Sequence, residues 1–204
     1  MFGLALSIGA LAFIGRQPTS PDQLLLSLVF YGFSYLILIQ VWSEYSSTMT
    51  VLSVETRGVR VLNMALLFLV SAEPFLFTLL TIQAVGGPSV PSLAVAELAS
   101  ILYALDLGAM HVILAFFTHS VAIEKRGSFP IEAQLYGSRR DSRALVAATF
   151  AVSALPVFWT WTISLGGVGD IPTRFILWVL APVVGLGGIA LIGQCRRLVS
   201  RLRH

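Results

Sequence analysis

Val59 to Ala84 reads VRVLNMALLFLVSAEPFLFTLLTIQA, and only Arg60 and Glu73 carry charge within it. An apolar run of about 18 residues or more with so few charges is the pattern of a helix that crosses a bilayer. Working outward, five further apolar stretches lie at residues 1–15, 23–42, 92–121, 144–165 and 174–192. The six together predict an all-α integral membrane protein with six transmembrane helices per subunit, in a single domain over residues 1–204. Turn-forming residues punctuate them: Pro18 and Pro21 after the first span, Gly86, Gly87, Pro88 and Pro91 after the third, and Gly166 to Pro172 after the fifth. Pro156 falls inside the fifth span. The connection Glu124–Arg143, with Gly127, Pro130 and Gly137, reads as a loop with room for a short surface helix. Mean hydropathy of +0.86 and 11% charged residues argue against a water-soluble domain, and six spans leave no length for a separate one.

The basic residues are unevenly placed. Arg57, Arg60, Lys125, Arg126, Arg139, Arg140, Arg143, Arg196, Arg197, Arg201 and Arg203 all fall in the second connection, the fourth connection or the C-terminal tail. Only Arg16 and Arg174 fall on the other side. Because Lys- and Arg-rich connections stay cytoplasmic, the expectation is a multi-pass protein of the cell membrane with both termini cytoplasmic. The net charge of +3 and pI near 9.4 could suggest a nucleic-acid partner, but these residues flank spans. There they act as topology signals and as contacts for anionic lipid. The single Cys195 excludes an internal disulfide and a CxxC metal site, and at the end of the last span it reads as a packed, inert thiol, with palmitoylation as the alternative. Met1 opens straight into apolar sequence without the basic flank of a signal peptide. Met1–Gly15 is also shorter than the roughly 17–20 residues a span needs, so the first helix is expected to begin upstream of Met1.

Ionisable groups at membrane depth are costly, which makes them functional candidates. Here they are Glu73, Glu97, Asp106 and His111, with Asn63 and Gln40 as neutral polar groups. Glu73 precedes Pro74, whose missing N–H frees a carbonyl one turn back and predicts a kink and a local polar site. A plain hydrogen bond from Glu73 to a neighbouring helix fits the sequence equally well. Asp106 and His111 are five positions apart and do not share a helix face. His111 and His119 do, roughly, but offer too few ligands for a metal, so the simpler reading of His111 is a side chain bonded within a helix bundle. No HExxH, GxSxG or P-loop is present, so neither an enzyme nor a cofactor is expected. Gly185, Gly187, Gly188 and Gly193 suit close helix packing of the last span. In the first span Leu4, Ile8 and Leu11 line one face and Ser7 lies beside them, among small residues. Such a helix repeated around an axis can build a narrow pore. Ordinary tight packing explains the same spacing.

Three stretches carry a resemblance. Met1–Ile8 (MFGLALSI), Tyr31–Glu44 (YGFSYLILIQVWSE) and Leu62–Leu80 (LNMALLFLVSAEPFLFTLL) together resemble the transmembrane protein 175 family of potassium channels, especially its prokaryotic members. The third is the strongest match, with Asn63 near its start, a Leu/Phe run and then Pro74-Phe75. The likeness covers the chain from Met1 to the end of the third span. It implies a homotetramer of six-helix subunits with the first helix of each lining the pore, and potassium (K+) permeation without a carbonyl-lined filter. No TVGYG-like stretch occurs. Carried onto this chain, the constrictions fall at Leu4, Ile8 and Leu11, and Ser7 stands where the family usually has a pore threonine. The family's Arg and Phe-Ser-Asp at the start of the first helix are missing, because this chain begins just after their place. The family's His after the Trp of the second span is also missing; Glu44 and Tyr45 follow Trp42 instead. Two other readings stay open: a proton-coupled secondary transporter using Glu73, Asp106 and His111, and a non-conducting membrane protein derived from the channel family.

Overall fold

A computed structural model describes residues 21–52, 56–84, 93–165, 169–185 and 187. Leu4, Ser7, Ile8, Leu11, Arg16 and Cys195 lie outside the described residues. The fold is mostly helical. Its elements run α1 (Pro21–Met49), α2 (Arg57–Ala84), α3 (Leu93–Lys125), α4 (Pro130–Ser153), the single-turn α5 (Val157–Thr160), a hairpin of β1 (Thr162–Leu165) and β2 (Gly169–Pro172), and α6 (Thr173–Gly185).

The second half differs from the sequence expectation. The helix expected over 144–165 begins at Pro130, so most of the connection Glu124–Arg143 is helical and only Arg126–Phe129 remains as a turn. Proline suits this start, since its fixed φ fits a first turn whose N–H groups have no helical acceptor anyway. The same helix stops at Ser153, ahead of Pro156. A proline disfavours the helical conformation in the residue before it and cannot donate to the carbonyl four back. Past the break, β-branched Thr162 and Ile163 pair in antiparallel register with Pro172 and Ile171.

α3 is the centre of the bundle. It makes its most extensive contact with α4, a lesser one with α2 and a smaller one with α1. Ala99, Tyr103, Leu107, Met110, Leu114, Phe117 and Val121 are buried along it. Those positions recur every three or four residues and form one face. The opposite face is just as apolar: Val95, Leu98, Leu102, Leu105, Val112, Phe116 and Ile123 are exposed. On α2 the buried residues Leu66, Val70, Phe77 and Leu80 are matched by exposed Val61, Met64, Phe68 and Phe75, the last two at 69% and 65% exposure. A helix in water keeps a polar outer face; a helix that is apolar all round needs an apolar surrounding. Among the described residues, Arg57–Leu80 and Glu97–Lys125 are long and apolar enough to cross a membrane.

Two glycines mark where helices touch backbone to backbone. A Cβ on Gly108 of α3 would lie 3.4 Å from the Ala147 carbonyl of α4. A Cβ on Gly185 of α6 would lie 2.5 Å from a Val146 methyl and 3.1 Å from Ser142 Oγ, which itself donates to the Gly185 carbonyl at 2.8 Å. Among the described residues, Gly187 meets no such neighbour. Gly185→Leu should therefore force α6 off α4 and cost about 1–3 kcal/mol, the range for overfilling a packed site. Gly187→Leu should be nearly neutral. Thermal unfolding in detergent compares the two; equal melting temperatures would remove Gly185 from the contact.

Candidate functional site

The polar groups inside the bundle form three sets. The first surrounds Glu73. Pro74 sits within α2, and the local backbone is stitched by Ser71 Oγ to the Phe68 carbonyl and Thr78 Oγ1 to the Pro74 carbonyl, both at 2.7 Å. Glu73 is 1% exposed and points into the bundle. Its Oε1 accepts from Ser34 Oγ of α1 and, at 3.3 Å, from Tyr103 Oη of α3. A buried carboxyl without donors costs several kcal/mol, so hydroxyls from two neighbouring helices are what make the site tolerable. Tyr103 extends the contact through rings: Phe77 lies 6.5 Å and Trp178 5.1 Å away, centroid to centroid. Asp106 stands one turn along α3 from Tyr103, within electrostatic reach of Glu73. It is 6% exposed, and among the described residues its Oδ2 has no hydrogen-bond partner.

The second set lies about 16 Å further along α3, taking 1.5 Å per residue from Tyr103 to Leu114. Arg143 of α4 is buried there. Its Nε pairs with Glu44 Oε2 of α1 at 2.9 Å, and its Nη1 donates to the Leu114 carbonyl at 3.0 Å and to Thr48 Oγ1 at 3.4 Å. Thr48 Oγ1 donates in turn to the Glu44 carbonyl at 2.7 Å. His111 is buried nearby, its Nδ1 donating to the Leu107 carbonyl at 2.9 Å and its ring 5.7 Å from that of Phe150.

The third set closes the end of α4. The stop before Pro156 leaves the carbonyls of Ser153 and Ala154 without helical donors, while that of Leu155 accepts from Phe158 N–H at 3.2 Å, and Arg174 at the start of α6 reaches all three. Its Nε donates to the Ser153 carbonyl at 2.6 Å, and its Nη2 to those of Ala154 at 3.3 Å and Leu155 at 3.0 Å. Its Nη1 donates to Ser100 Oγ of α3, and Trp159 covers the guanidinium at 5.5 Å. A cation at a helix C-terminus also meets the negative end of the helix dipole. Trp178 Nε1 completes the set by donating to Ser153 Oγ at 2.8 Å.

Of the sequence candidates, Glu73 and Asp106 come together. His111 belongs to a different depth, and Asp106 and His111 do not meet. Asn63 is apart from both: its Oδ1 accepts from Tyr45 Oη at 2.8 Å, which ties α2 to α1. His119 faces α4, where Arg140 Nη1 lies 3.2 Å from its Nδ1. No group of three or more His, Cys, Asp or Glu that could hold a metal occurs among the described residues. The sequence reading missed Arg143 and Arg174, which it counted with the flanking charges. Pro156 was the signal for Arg174, since a helix stopped there leaves carbonyls in want of a donor. No protein-family model, no curated protein and no solved structure matches this chain.

Arg143→Met should destabilise by about 3–5 kcal/mol, because it strands the Glu44 carboxylate. Arg143→Met with Glu44→Gln should recover a large part of that loss. A double-mutant cycle by thermal or chemical unfolding in detergent reads the coupling; additive losses would show that the pair does not act together.

Proposed function

We propose that this chain is one subunit of a multi-pass membrane channel that passes monovalent cations, potassium above all. The observation that carries the reading is the relation between two of the resembling stretches. Tyr31–Glu44 lies on α1 and Leu62–Leu80 on α2, and the two helices are joined by Ser34 to Glu73 and by Tyr45 to Asn63. The resemblance to the transmembrane protein 175 family thus falls on one contiguous helix pair. The outward apolar faces of α2 and α3 supply a lipid-facing surface. In this reading six spans cross the membrane, both termini are cytoplasmic and four copies surround the pore. Rings of Leu4, Ile8 and Leu11 make hydrophobic constrictions, with Ser7 as the polar ring between them.

A second reading is favoured by Asp106. A buried carboxyl with an oxygen that has no partner among the described residues, close to a second acid, is the kind of group a proton-coupled carrier uses. Glu73 and Asp106 lie between helices of one subunit, which suits a carrier.

Currents across bilayers holding the purified full chain, under opposed potassium and sodium gradients, separate these. The channel reading expects a reversal potential near the potassium limit. It expects Leu4→Ala to raise unit conductance or loosen ion preference, and Ile8→Asn, by wetting its ring, to do so more strongly. Currents identical in both variants would overturn the pore assignment. The carrier reading expects saturable, pH-dependent flux in vesicles that Asp106→Asn abolishes. Flux indifferent to Asp106→Asn would dismiss it.

A further inference from the structure

Along the outer seam of α3 and α4 runs an open groove of about 680 Å³. Its floor is Gly108, Ala109 and Ala115 of α3 with Ala144, Ala147 and Ala148 of α4. Small side chains bring the two backbones together at Gly108 and leave a trough beside the contact. Leu105, Val112 and Phe116, from the outward stripe of α3, form its wall. The groove ends at His119 and Arg140. Arg140 also lines a second, polar pocket of about 300 Å³, together with Arg126, Gln134 and Gly137. One guanidinium therefore joins an apolar trough to a polar chamber.

The charge in the chamber is one-sided. Arg140 donates to Asp141 Oδ1 from Nε, at 2.8 Å, and from Nη2, and Asp141 lines neither cavity. Arg126 is exposed and adds a second guanidinium. The neighbouring Lys125 is taken up by Glu132 at 3.4 Å, and Arg139 lies over the Tyr136 ring at 5.6 Å. Two guanidiniums thus stand against one carboxylate. From Leu105 to His119 the trough follows α3 for about 21 Å at 1.5 Å per residue. That exceeds the ~15 Å of hydrocarbon in one leaflet of a ~30 Å core.

We infer that this trough and chamber form a binding site for one anionic phospholipid, an acyl chain along the α3–α4 seam and the phosphate against Arg126 and Arg140. Each part matches one end of such a molecule: the trough takes hydrocarbon, and the chamber offers the exposed Arg126 guanidinium, with Arg140 oriented beside it by Asp141, to phosphate oxygens. The site rests on the bilayer setting of the chain and is independent of ion conduction, so either can fail without the other.

The test uses the full chain, purified in mild detergent and stripped of lipid. It is then given phosphatidylglycerol or phosphatidylcholine of matched chains, and retained lipid is read by native mass spectrometry. The wild type is expected to hold one phosphatidylglycerol in preference to phosphatidylcholine. Arg126→Gln should weaken phosphatidylglycerol by about fivefold, the effect of one basic side chain near an anionic head, and weaken phosphatidylcholine, whose choline offsets its phosphate charge, by less. Gly137→Leu should do the same by filling the chamber, since among the described residues a Cβ there meets nothing within 4 Å and the helix is undisturbed. Ala148→Phe should block the trough and weaken both lipids. Lipid-free melting temperatures of Arg126→Gln and Gly137→Leu should equal that of the wild type. Equal retention of the two lipids by the wild type would overturn the site. So would phosphatidylglycerol retention that ignores both chamber variants, or a cross-link from Ala148→Cys to a second copy of the chain.

Discussion

The carboxyl group of Glu73 sits where α1, α2 and α3 converge, and it accepts from a hydroxyl on each neighbour. A carboxyl buried at this depth fixes its surroundings more firmly than an apolar contact of the same size. A leucine tolerates sliding, whereas an acid must keep its donors or go without them in an interior that offers no water. The rotation of α2 follows, since Glu73 can face inward only if Phe68 and Phe75 face outward. The position of Tyr103 follows too, and through its ring that of Trp178, whose indole N–H reaches Ser153. A single acid on α2 is thereby connected to the far end of α4.

Arginine does the corresponding work elsewhere. Arg143 joins α1, α3 and α4 at one depth, and Arg174 joins α3, α4 and α6 at another. Both choose backbone carbonyls as partners along with side chains. The forked guanidinium suits this, because it can satisfy several acceptors at once where a lysine ammonium would act as a point charge. The Ser153 and Ala154 carbonyls reached by Arg174 lack helical donors because α4 stops before Pro156.

How far the sequence could be read depends on which signal governed each segment. For α2 the apolar run, its lack of charge and its proline were all local, and the helix falls where they point. The same holds for α3. For α4 the local signals conflicted: Arg139, Arg140, Asp141 and Arg143 look like a solvated connection, yet their segment is helix and Arg143 turns inward to meet a glutamate almost a hundred positions earlier. No window along the chain contains that partner. Arg174 illustrates the limit of a charge-counting rule. It stood against the expected asymmetry, and its place is explained by the carbonyls it satisfies. At Glu73 the sequence offered a kinked polar site or a simple interhelical bond, and the geometry shows hydrogen bonds from two neighbouring helices. The partners themselves, Ser34 and Tyr103, were legible only once three helices had been brought together.

α4 and α6 run antiparallel and are joined near both ends of their shared length. Arg174 holds the Ser153 end, and the Ser142 hydroxyl bonded to the Gly185 carbonyl holds the other. Two helices fastened at one point can scissor; two fastened at separated points cannot pivot about either. The pair is thus a lever of fixed angle, and a displacement at the hairpin end arrives at the arginine-rich end as a tilt of the whole pair rather than dissipating between its members.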